Sequence, residues 1–72
     1  MTSFENPQAI QHFHSLCDAC QDLRNRSYEN SILMIYCEGY FQSLRKTKSL
    51  EPRDQVKLEK IMEDWIYNGG GI

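Results

Sequence analysis

The sequence predicts an all-α fold, a small three-helix bundle with helices over about residues 7–24, 31–47 and 52–67. Apolar residues recur at three- and four-residue intervals through most of the chain, the period of an amphipathic helix. Two segments open on a cap-like residue followed by proline, Asn6-Pro7 and Glu51-Pro52, and proline at a first helical position loses no hydrogen bond. No stretch alternates apolar and polar residues as a half-buried strand does. The 72 residues are read as one helical domain, with residues 1–5 and the Gly-rich end, residues 69–72, flexible.

The first helix is expected to start with Asn6 as its N-cap. Its stripe is Ala9, Ile10, Phe13, Leu16, Cys17, Cys20 and Leu23. After the polar connection "NRSYEN", Asn30 or Ser31 is expected to cap the second helix, whose main stripe is Leu33, Tyr36, Cys37, Tyr40, Phe41 and Leu44. Ile32 and Ile35 fall outside that stripe, on a flank shared with Gly39 and Ser43. The second helix is thus apolar around more than half its circumference, as an element with several neighbours is. The third helix buries Leu58, Ile61, Met62, Trp65 and Ile66 and is expected to stop in a left-handed turn at Asn68-Gly69.

Composition removes several classes of function. Eight basic and ten acidic side chains give a formal charge of −2, so nucleic acid is not the expected partner, because such binders concentrate a basic excess on one face. The run Arg45-Lys46-Thr47-Lys48 is followed at once by Glu51 and Asp54 and reads as a solvated helix end. "MTSFENPQ" has neither the basic start nor the apolar stretch of a signal peptide. The apolar run from Ile32 to Cys37 is far short of the roughly 20 residues that span a bilayer. The expected setting is cytoplasmic, with three cysteines as reduced, buried small hydrophobes.

The segment "QHFHSLCDAC" poses a metal question, since it places His12, His14, Cys17 and Cys20 within one helix. At about 100° per residue the two imidazoles stand about 160° apart, so one helix cannot close both on one ion. Cys17 and Cys20, about 60° apart, point toward the core. A structural zinc takes four ligands, and Cys37 is the one further thiol available. The primary expectation is therefore no metal and no cofactor, with a metal- or redox-responsive protein using Cys17, Cys20 and Cys37 as the alternative. No serine or cysteine nucleophile has an identifiable base, and no glycine-rich phosphate loop precedes a helix. An enzyme is not expected.

What remains is apolar character that one small core does not need. A glycine inside a helix costs about 1 kcal/mol relative to alanine, so Gly39 asks for a packing reason: either another helix of this chain lies on it, or a partner does. Tyrosine and arginine favour contact surfaces because they combine large area with a polar handle. The candidate protein-binding residues are Arg26, Tyr28, Ile32, Ile35, Tyr36, Gly39 and Arg45.

The segment "NRSYENSILMIYCEGYFQSLRKTKSLEP" resembles an uncharacterised family of short cyanobacterial proteins. The resemblance rests on Asn25, Arg26, Tyr28, Leu33, Tyr36, Gly39, Tyr40, Leu44, Arg45, Leu50, Glu51 and Pro52, with Ser15 to Ala19 upstream. Ser27 stands where that pattern has glycine, and the terminal "YNGGGI" is shorter than the polar tail expected of relatives. The resemblance implies a cyanobacterial, cytoplasmic setting and supplies no activity, cofactor or partner. The function expected is a non-enzymatic interaction module, a regulator or adaptor of a larger assembly, that binds a protein partner or itself.

Overall fold

A computed structural model describes residues 6–68, which form α1 (Pro7–Asn25), α2 (Asn30–Thr47) and α3 (Pro52–Tyr67). The expected flexible ends, residues 1–5 and 69–72, lie outside the described residues. The chain folds as a three-helix bundle, and among the described residues there is no strand.

The helix starts follow local chemistry. Asn6 sits in extended backbone and its Oδ1 accepts the Gln8 N–H at 2.9 Å, with Pro7 as the first helical residue. The start of α2 differs from expectation: Glu29 is the N-cap, without a side-chain cap bond. Asn30 is already helical, and its side-chain oxygen accepts from Arg24 Nη2 at 3.3 Å instead. α3 opens on Glu51-Pro52 as expected, with Asp54 in its first turn.

Both interhelical connections are closed by left-handed residues. At the end of α1, Ser27 (φ 70°) donates its N–H to Arg24 O, and Tyr28 donates to Leu23 O. At the end of α2, Lys48 (φ 53°) donates to Arg45 O, and Ser49 donates to Leu44 O. These paired bonds consume the last carbonyls of each helix, as in a Schellman cap. Serine and lysine therefore occupy conformations that glycine adopts without steric cost. Asn68, by contrast, has φ −114° and donates its N–H to Asp64 O, so the expected left-handed stop does not fall on Asn68.

The core consists of Ala9, Leu16 and Cys20 from α1, Leu33, Cys37, Phe41 and Leu44 from α2, Leu50 from the connection, and Leu58, Met62 and Ile66 from α3. Two residues placed in buried stripes by the sequence, Ile10 and Tyr36, are exposed. Cross-helix contacts fix the directions. His12 meets Tyr40 while Cys20 meets Cys37, so α1 and α2 are antiparallel. Cys17 meets Met62 while Arg24 reaches the Ile66 carbonyl at 2.9 Å, so α1 and α3 run the same way. Arg24 also stacks over the Trp65 ring at 5.1 Å, joining the ends of α1 and α3 through a guanidinium that serves as donor and as cation over a π face.

Candidate interaction surface

The helix-two flank is uncovered. Ile32 is 40 % exposed, Ile35 64 % and Tyr36 41 %, with Tyr28 at 48 % four residues before Ile32. Gly39 is exposed on the same face, and a Cβ built there meets nothing within 4 Å. Neither α1 nor α3 packs on it, so no close approach among the described residues explains the glycine. Ser43, one turn on, is also exposed.

The reason the flank stays open is geometric. α2 uses Leu33, Cys37, Phe41 and Leu44 for the core, and Ile32, Gly39 and Ser43 lie about 115–155° round the helix from the centre of that stripe. α1 covers the near margin only, where His12 Nδ1 and the Tyr40 hydroxyl are 2.8 Å apart. Tyr36 leans on Tyr40, ring centroids 6.4 Å apart at 48°. Its ring is thus ordered while still presenting surface, which reduces the entropy lost when it is covered. Partial burial, with the Tyr40 hydroxyl next in importance, raises the Tyr36 phenol above its ordinary value and keeps it neutral.

The remaining sequence candidates are placed differently. Arg26 lies in the turn before α2 and pairs with Asp22 of its own helix at 3.3 Å, both side chains exposed. Arg45 is turned away from the flank: its Nη2 sits between the two carboxylate oxygens of Glu59 on α3. Glu59 also accepts from Gln55 Nε2 at 2.7 Å. The wheel hides this arrangement, because Arg45 and Glu59 are joined only by the way α2 crosses α3. Beside them Leu50, Pro52, Val56, Lys48 and Gln55 line an open cleft of about 480 Å³ that sequence reasoning did not anticipate. Gln55 is 5 % exposed and its Oε1 is buried without a hydrogen-bond partner among the described residues.

The thiols divide into a pair and a single. Cys20 and Cys37 are both buried, with Sγ atoms 3.5 Å apart across α1 and α2. Cys17, half-buried, faces Met62 Sδ on α3 at 3.9 Å. Burial pushes the Cys17 thiol up to about 11, helped by the charges of Cys20 and Asp18. The hydrogen bond that the two share pushes the Cys37 thiol up and draws Cys20 down. The two histidines also separate, His12 to Tyr40 and His14 to the surface. Among the described residues, no three His, Cys, Asp or Glu side chains are grouped to hold a metal ion, and no helix is long and apolar enough to cross a membrane.

A small three-helix bundle with one apolar helix flank left open is the class that this fold and surface define. The chain belongs to a family of unknown function, DUF6761, whose family model matches residues 1–71. Neither a curated protein nor a solved structure matches it.

Proposed function

We propose that this chain is a non-enzymatic protein-interaction module that works through the open flank of α2, with Ile32, Ile35, Tyr36 and Gly39 at its centre and Tyr28 with Arg26 at its edge. In the cyanobacterial, cytoplasmic setting implied by the sequence resemblance, it serves as a regulator or adaptor of a larger protein assembly. The observation that carries this reading is Gly39, a helix-interior glycine with open space where its Cβ would be. Its cost in helix stability is not offset by a contact among the described residues, whereas a partner helix lying on that face would use the absence of a side chain. The apolar residues around it gain from being removed from water at about 25 cal/mol per Å². Arg45, held by Glu59, contributes a charge at the far side of the helix rather than a contact in the flank.

The test is affinity capture by the immobilised protein from cyanobacterial lysate, beside an Ile35→Asp control of the same helicity. Proteins retained by the wild type and lost with the control support the reading. An identical set on both would remove the flank from the account.

A second reading has its own observation, the 3.5 Å approach of Cys20 and Cys37. Two thiols on different helices at this distance need a shift of about 1.5 Å to reach disulfide length. In the presence of a small-molecule disulfide, exchange would join the two sulfurs and release two small thiols, linking α1 to α2. Peptide mapping after such treatment would show a Cys20–Cys37 cross-link with the loss of two hydrogens; recovery of both thiols unmodified from the refolded protein would exclude it.

A further inference from the structure

We infer that the occupant of the α2 flank is a second copy of this chain, packed antiparallel about a twofold axis. The inference rests on the flank being a contact surface and adds which partner it takes. Along this face α2 and its N-cap present Glu29, Ile32, Tyr36, Gly39, Ser43 and Lys46 in successive turns, all of them exposed. At about 100° per residue the six fall within an arc of about 100°, over about 25 Å of helix. Their order is acidic, large, large, small, small, basic.

A face in that order complements its own reversal. Laid antiparallel with the axis between positions 37 and 38, Tyr36 of each copy lies over Gly39 of the other. Ile32 lies over Ser43, and Glu29 lies beside Lys46. Each bulky side chain enters a gap left by a small one, which is the condition for close helix packing. Both charge pairs are of opposite sign, and the helix dipoles oppose one another. A parallel pair fails on every count: Tyr36 meets Tyr36, the gaps at Gly39 face each other unfilled, and Lys46 is set against Lys46.

Gly39 gives this arrangement its closest point, because among the described residues nothing lies within 4 Å of a Cβ at that position. Tyr36 is already ordered against Tyr40. The exposed apolar surface of Tyr28, Ile32, Ile35 and Tyr36 is on the order of 400 Å² per copy. The pair then covers about 800–1,000 Å² in total, less than the roughly 1,200–2,000 Å² of a stable interface. The dimer is therefore a weak one that forms and dissociates with concentration.

Charge exchange tests the register in the full-length chain. Sedimentation equilibrium from micromolar to millimolar concentration is expected to show monomer and dimer in exchange. Glu29→Lys and Lys46→Glu should each weaken dimerisation by roughly three- to tenfold, since each sets two like-charged pairs across the axis. The double variant remakes both pairs with the signs reversed and should recover wild-type association. Both positions are exposed but stand at the ends of α2, where each exchange opposes the helix dipole, so circular dichroism of each variant checks that the fold is kept. A wild-type monomer at every concentration would overturn the second copy as occupant while leaving lysate partners of the flank unaffected. A dimer that persists in Gly39→Leu would overturn both the inference and the contact surface beneath it. A dimer lost in Gly39→Leu yet not recovered by the double charge exchange would overturn the antiparallel register.

Discussion

Replacing Gly39 by alanine should stabilise this protein, an outcome that separates two accounts of the residue. Gly39 lies in the interior of α2 and its added Cβ would meet nothing within 4 Å. No clash therefore offsets the propensity gain, and alanine is favoured over glycine in a helix interior by about 0.8–1.0 kcal/mol, through the backbone entropy that the unfolded chain no longer has to lose. For a domain of this length, 1 kcal/mol moves the melting temperature by about 4–8 °C. Thermal unfolding followed at 222 nm, at a concentration low enough to keep the chain monomeric, reads the shift directly. If Gly39→Ala lowered the melting temperature, something in the monomer would have to pack against that position. The argument that the glycine is kept for a partner would then fail.

Three further outcomes follow from the same structure. Ser27→Gly relieves a left-handed serine (φ 70°) and should add about 0.5–1 kcal/mol in urea denaturation; a loss would mean that the serine hydroxyl supports the turn. Met62→Ala empties a fully buried site between α1 and α3 and should cost about 2–5 kcal/mol, enough to leave a domain of this size largely unfolded at 37 °C; a loss under 1 kcal/mol would place Met62 outside the core. Stability should also fall in alkali. The folded state holds the Cys17 proton up to about pH 11, whereas an unfolded thiol releases it near about pH 8.5. The contribution is therefore complete below the unfolded value and is lost as pH rises through the folded one. Cys17→Ala should flatten that decline, and an unchanged slope would assign it to other groups.

The helices were legible because their causes are local. Asn6-Pro7 and Glu51-Pro52 mark starts by chemistry that acts within one turn, and the structure begins α1 and α3 there. The turns were less legible, because Ser27 and Lys48 adopt left-handed backbone to redirect the chain between helices that pack together. Neither residue type signals that conformation. Asn30 reads as a cap, yet it is drawn to Arg24, whose position depends on α3 as well as α1. The flank of Ile32, Ile35 and Gly39 could be drawn on a wheel, but whether α1 or α3 lay over it is decided by how far α2 rotates to seat Cys37 and Phe41. The meeting of Cys20 with Cys37, and the turning of Cys17 toward Met62, depend on the same rotation. So does the pairing of Arg45 with Glu59.

Self-association through the α2 flank is tested most directly by the backbone amide spectrum of the ¹⁵N-labelled full chain, followed by dilution from millimolar to micromolar concentration. The account expects concentration-dependent shifts gathered on Glu29, Ile32, Ile35, Tyr36, Gly39, Ser43 and Lys46, with Val56 and Tyr67 of α3 unmoved although they are as exposed. Shifts centred on α3, or a spectrum that does not change with concentration, would contradict it.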